Sequence, residues 1–133
     1  MKTEIVSAQE CAKAVALLRA GEIVALPTET VYGLAADALD PIAVAKIFEA
    51  KERPRFDPLI VHLPSEGWSE RVARMDDLSR KLITALWPGP FTIVVPRCES
   101  VPDIVSAGLD TVALRMSSHP IFARIIRDFG KPL

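Results

Sequence analysis

Lys51, Arg53 and Arg55 place three cations within five residues, in the run Lys51-Glu52-Arg53-Pro54-Arg55-Phe56-Asp57-Pro58. Pro54 and Pro58 disfavour the helical region for Arg53 and Asp57, so the run is expected to be extended. Residues i and i+2 then share a face, which aims Lys51 and Arg53 at one spot. A guanidinium fork beside an ammonium point charge could clamp a polyphosphate. The same residues fit a plainer role, with Lys51 at the C-terminal end of a helix dipole and both arginines in solvent. Neither G-x-x-x-x-G-K-[ST] nor G-x-G-x-x-G occurs, so any phosphate site must be made of side chains.

A second stretch, Ala25-Leu26-Pro27-Thr28-Glu29-Thr30-Val31-Tyr32-Gly33-Leu34, leaves the end of an apolar run. In open α/β sheets the crevice beyond strand ends is where ligands bind. Thr28, Thr30 and Tyr32 alternate with Glu29 and Val31, so three hydroxyls could line one side, or serve only as turn and cap residues. Arg115 sits among apolar neighbours on a predicted strand, where an unpaired guanidinium is costly to bury. His62 and His119 lie far apart, and neither has a second Cys or His at ligand spacing, so no protein metal ligand is expected.

The elements that must position these groups follow from pattern. Ser7 with Glu10 reads as a capping box ahead of a helix over residues 8 to 20, closed by Gly21. Glu22 to Leu26 reads as a buried strand followed by a turn-rich stretch. Asp40-Pro41 opens a helix over 41 to 50. Pro58 to Leu63 is a second strand, and Asp76 or Asp77 caps a helix with an apolar face of Leu78, Leu82, Ile83 and Leu86, ended by Trp87-Pro88-Gly89-Pro90. Phe91 to Val95 and Thr111 to Arg115 are further strands, and Ser118 or His119 starts a helix ending near Gly130. The alternation predicts an α/β sandwich with a mixed sheet.

With 133 residues, half of them apolar, the chain supports one domain. Sixteen Lys and Arg against seventeen Asp and Glu give a net charge of -1, so no global basic field draws in nucleic acid. Cys11 and Cys98 are the two cysteines, which fits free thiols in a reducing cytosol. The first ten residues include Lys2, Glu4, Gln9 and Glu10, which suits neither a signal peptide nor a membrane span; a cytoplasmic protein is expected.

Several ordered motifs together resemble the YrdC-like threonylcarbamoyl-AMP synthases. They are Leu26 to Leu34, Lys51-x-Arg53-Pro54, Pro58-Leu59-Ile60-Val61-His62, Trp87-Pro88-Gly89-Pro90-Phe91-Thr92, and Thr111-Val112-Ala113-Leu114-Arg115 with His119-Pro120. The resemblance covers nearly the whole chain and implies a YrdC-like twisted mixed sheet with flanking helices. It implies that Lys51 and Arg53 act catalytically on ATP phosphates, with Thr111 and Asp57 also at the nucleotide. Thr30, Tyr32, His62 and Arg115 would hold L-threonine. The implied reaction joins L-threonine, bicarbonate or CO2 and ATP into threonylcarbamoyl-adenylate for tRNA modification, with Mg²⁺ carried by the phosphates. Other proteins of that pathway are possible partners, and binding of tRNA or double-stranded RNA stays open. Alternatives are the carbamoyl chemistry of the YrdC-like domain in hydrogenase maturation proteins, or a non-catalytic RNA-binding module.

Three departures from the family pattern stand out. Asp57 occupies a position where the family often has Asn, bringing negative charge towards a phosphate site. Ser117-Ser118 replaces a proline-containing approach to His119-Pro120, with no evident chemical consequence from sequence. The chain ends at Lys131-Pro132-Leu133, ahead of the strand end whose Ser and Asn complete the family's site. The expectation is therefore an incomplete YrdC-like domain over 1–133, inactive by itself, with an unpaired strand edge.

Overall fold

The computed structural model of the chain describes residues 2–133. Helices form where a cap precedes apolar residues at helical spacing. The Glu10 carboxylate accepts from the Ser7 backbone N–H at 3.2 Å, a 3-10 turn covers Ala8–Glu10, and α1 follows over Cys11–Arg19. Asp40 caps α2, Pro41–Lys51, by accepting from the backbone N–H groups of Ile42 (2.9 Å) and Ala43 (3.3 Å). The short α3 spans Ser69–Val72, and α4 spans Asp77–Leu86 with Asp76 accepting from Ser79 N–H at 2.7 Å. A further short helix, α5, covers Asp103–Ser106. The last, α6, spans Pro120–Phe129 between a His119 cap and Gly130, whose φ of 84° is the left-handed geometry that glycine reaches without strain.

Among the described residues, five strands form two sheets. β1 (Val24–Pro27) and β2 (Tyr32–Ala35) make an antiparallel hairpin. β3 (Ile60–His62), β4 (Gly89–Pro96) and β5 (Thr111–Met116) form a mixed sheet in the order β3-β5-β4. β3 runs parallel to β5, pairing Ile60 with Ala113 and His62 with Arg115, while β4 runs antiparallel to it. The mixed α/β architecture expected from the alternation of elements is what forms.

Four local expectations change. The turn-rich stretch after β1 contains a strand, β2, because Tyr32 to Ala35 can pair with β1 through a tight four-residue turn. The short helices α3 and α5 carry too few residues for a periodic signal. In α4 the buried row is Ser79 and Ile83, continuing to buried Trp87, so Leu78 and Leu86 on the neighbouring i, i+4 row stay exposed. The run from Lys51 to Pro58 is not extended. Lys51 still belongs to α2, Glu52 is left-handed with φ of 50°, and Arg53 N–H returns to Phe48 C=O at 2.9 Å. Pro54 restricts Arg53 and Pro58 restricts Asp57, both too late to unwind Lys51.

One core lies beneath the mixed sheet, with Phe48, Val61, Ile83, Val95 and Leu114 buried. A second fills the space between α1, α6 and the hairpin, with Leu18, Leu26, Phe122 and Ile126. Residues 132–133 join the two halves. Leu133 exchanges two backbone hydrogen bonds with His62 (2.7 and 3.0 Å), and Pro132 C=O accepts from Ala38 N–H at 3.1 Å. The edge of β3 facing away from β5 is thus paired at His62. Among the described residues no helix is long and apolar enough to cross a membrane.

Candidate active site

A cavity of about 280 Å³ opens between the hairpin, the end of α2 and β3. Lys51 and Arg53 line one side of it, and Thr28, His62, Phe122 and Leu133 contribute elsewhere. The helix end and the left-handed Glu52 bring the two cations to this wall in place of an extended run. Lys51 is exposed, whereas Arg53 is half-buried and partly engaged by its own loop. Its Nη2 donates to Pro58 C=O at 2.9 Å and its Nε to Asp57 C=O at 3.4 Å. Arg53 therefore holds the 53–58 loop closed while facing the cavity, and Arg55 stays exposed.

His62 and Arg115 stand at the carboxyl ends of the parallel strands β3 and β5, in register. Parallel strands of an α/β sheet offer ligand sites at that end. The His62 ring packs against Phe122 with centroids 4.8 Å apart. Burial, then the nearby Arg115 charge, lowers the imidazole pKa from 6.5 to about 4, against opposing contributions from Ile60 and Glu29. At neutral pH His62 is an uncharged ring with an acceptor nitrogen.

Arg115 does not project into the cavity as a free fork. Its Nη2 donates to Glu29 Oε1 at 2.9 Å and to Thr30 Oγ1 at 3.3 Å, and the two charged side chains are only 13% and 14% exposed. Arg115 Nε is buried without a hydrogen-bond partner among the described residues. Glu29 is held on its other oxygen. Oε2 accepts from Ser117 Oγ (3.1 Å), Ser118 backbone N–H (2.5 Å) and Ser118 Oγ (2.8 Å). Burial acts to raise the Glu29 pKa, but the Ser118 N–H, the Arg115 guanidinium and the two serine hydroxyls outweigh it and bring it to about 2.

The hairpin turn explains Thr28, Thr30 and Tyr32. Thr28 Oγ1 donates to Val31 C=O at 2.6 Å and accepts from the N–H groups of Thr30 and Val31, so it builds the turn. Thr30 lies 3.1 Å from Thr28 Oγ1 and reaches Arg115. Tyr32 is 75% exposed at the start of β2, apart from the other two. The three hydroxyls do not form one row, because the segment turns where alternation assumed an extended chain. Thr111 begins β5, paired with Pro96, and is exposed. Four residues of strand at about 3.3 Å each separate it from Arg115 by roughly 13 Å, at the opposite end of the sheet. Asp57 is half-buried in the turn, with its N–H bonded to Pro54 C=O at 3.1 Å. The structure thus gathers Lys51, Arg53 and His62 on one cavity and Thr30 with Arg115 beside it; Thr111, Asp57 and Tyr32 are not among the residues lining that cavity.

Glu29, Ser117 and Ser118 were missed as site residues. The one sequence signal for Glu29 was indirect, since Arg115 among apolar neighbours required a buried anion without saying which.

The profile of the Sua5/YciO/YrdC family, described as telomere recombination, matches residues 16–133. The chain belongs to this family. A threonylcarbamoyl-AMP synthase of Pyrococcus abyssi is 46% identical over 121 residues, which is 90% of this chain and 36% of that protein. A Bacillus subtilis threonylcarbamoyl-AMP synthase is 42% identical, again over 36% of its length. The chain therefore spans little more than a third of these relatives. The family fold is equally clear in three dimensions. A crystal structure of P. abyssi Sua5 complexed with L-threonine superposes with a TM-score of 0.91 at 44% identity, covering 97% of this chain and 38% of that one. Escherichia coli YciO shares the fold, with a TM-score of 0.83 at 20% identity.

Proposed function

We propose that the protein carrying this chain makes L-threonylcarbamoyladenylate and pyrophosphate from L-threonine, bicarbonate or CO2, and ATP, for tRNA N6-threonylcarbamoyladenosine. The observation that carries this reading is that Lys51, Arg53 and neutral His62 share one cavity, with Arg115 in register with His62. Membership of the family and likeness to a Sua5 that binds L-threonine support the amino-acid half.

In this mechanism the threonine amine adds to CO2, loses a proton and becomes a carbamate. A carbamate oxygen then attacks the α-phosphorus of ATP, and the bond to the β-phosphate oxygen breaks, releasing pyrophosphate. Lys51 and Arg53 face the phosphates and offset the charge that develops on the leaving group. The carboxylate of threonine pairs with the Arg115 guanidinium, and neutral His62 accepts a hydrogen bond from the amine or the side-chain hydroxyl. These residues bind and orient; none forms a covalent bond. Positioning the two substrates therefore supplies most of the acceleration.

Among the described residues no group of three or more His, Cys, Asp or Glu side chains could hold a metal ion. Mg²⁺ would be carried by the ATP phosphates, where it would neutralise charge, with Lys51 and Arg53 as the chain's own contribution there. The test is pyrophosphate release measured with each substrate omitted in turn. Release that requires L-threonine, bicarbonate and ATP together is expected; release indifferent to L-threonine would overturn the reading.

A further inference from the structure

Glu29 ties together three segments that are distant in sequence: the hairpin turn, the end of β5 and the loop before α6. Its carboxylate receives Arg115 on Oε1 and three donors from Ser117 and Ser118 on Oε2. The anchor continues beyond it. Ser117 Oγ also accepts from His119 N–H at 3.2 Å, and His119 Nδ1 accepts from Ile121 N–H at 3.2 Å, so the start of α6 fixes the serine that fixes the glutamate. Ser117 is itself buried.

The pairing leaves the guanidinium incomplete in a particular way. Arginine carries five N–H donors. Glu29 and Thr30 both take Nη2, and Nη1 has no acceptor among the described residues. A carboxylate is the charged acceptor that a guanidinium donor without a partner favours. Glu29 would repel such a ligand if its own charge were free. The three donors on Oε2 draw that charge away from the guanidinium.

We propose that Glu29, seated on Ser117 and Ser118, is the positioning residue of the amino-acid site: it fixes Arg115 through Nη2 so that Nη1 receives the ligand carboxylate. This rests on the assignment of L-threonine made above and names how its carboxylate is oriented. It also gives the Ser117-Ser118 departure from the family pattern a chemical role, since both hydroxyls hold the anchor.

The experiment is calorimetric titration of the full chain with L-threonine and with L-threoninol, which lacks the carboxylate. The variants are Glu29→Gln, Arg115→Ala and the two combined, with Ser117→Ala/Ser118→Ala as a milder release of the anchor. Glu29→Gln should weaken L-threonine at least roughly tenfold, as loss of one partner of a buried charge pair does, and leave L-threoninol unchanged. In the Arg115→Ala background the same substitution should do nothing further to L-threonine. The double serine variant should weaken L-threonine in the same selective way if Glu29→Gln fails to fold. Equal weakening of both ligands, or an undiminished Glu29→Gln effect without Arg115, would overturn the proposal while leaving the threonine assignment intact. Failure of the unsubstituted chain to bind L-threonine at all would overturn both.

Discussion

His62 and Arg115 face each other in register across the parallel pair β3 and β5, 53 positions apart in the chain, so that strand pairing sets an imidazole beside a guanidinium. Burial and that neighbouring charge keep the ring neutral down to a pKa of about 4.

The consequence for stability is directional. A folded pKa below the unfolded 6.5 means that the unfolded chain takes up the proton first, so stability present above pH 6.5 is lost as the pH falls towards 4. The full effect is at most about 3 kcal/mol. Glu29, brought to about 2 from 4.5, adds a second loss between those values. Urea unfolding at a series of pH values should show both, and His62→Gln should flatten the decline between 6.5 and 4. A variant with the same slope as the parent in that window would refute the assignment.

Arg115→Lys should bind L-threonine roughly tenfold more weakly while ATP binding changes little. A lysine brings a point charge that cannot reach Glu29 and Thr30 and still offer a separate nitrogen to a carboxylate. Separate titrations with each substrate measure this, and parallel losses for both would contradict it.

Lys51 and Arg53 should separate by their effect on stability. Lys51 is exposed and spans no loop, so Lys51→Ala should weaken ATP binding with stability changed by less than about 0.5 kcal/mol. Arg53→Ala should weaken ATP binding too, but also cost about 1 kcal/mol, because its hydrogen bonds to Asp57 and Pro58 close the loop. ATP titration and urea unfolding on the same two variants make the comparison.

Thr111→Val tests a role that the family resemblance suggests and the strand geometry opposes. With Thr111 at the far end of β5 from Arg115, its substitution should leave the affinity for ATP within twofold, a change of about 0.4 kcal/mol. A larger loss would show that the nucleotide extends to that end of the sheet.

Gly89→Ala should destabilise the fold by about 1–3 kcal/mol, as overpacking does. A Cβ there would meet Leu86 C=O at 2.9 Å, a backbone atom that cannot swing aside. Thermal unfolding of the variant checks it.

What the sequence by itself determined is local. Asp40-Pro41 opens α2 and Gly130 closes α6 because capping and left-handed turns act within about four residues. The strands around Val61, Ile93 and Leu114 are legible for the same reason, as short apolar runs between breakers. The family motifs only suggested Lys51, Arg53, His62 and Arg115 for the site, and Arg115 among apolar neighbours was costly to bury unpaired. Tertiary structure alone decided that the anion is Glu29, 86 residues away, because that pairing depends on how the hairpin turn packs against the end of β5. It likewise decided that Thr111 lies opposite Pro96 at the far end of β5, and that Leu133 closes on the backbone of His62. Caps are set by the sterics of neighbouring residues, whereas a partner across 86 residues is fixed by strand register and the order in which helices cover the sheet.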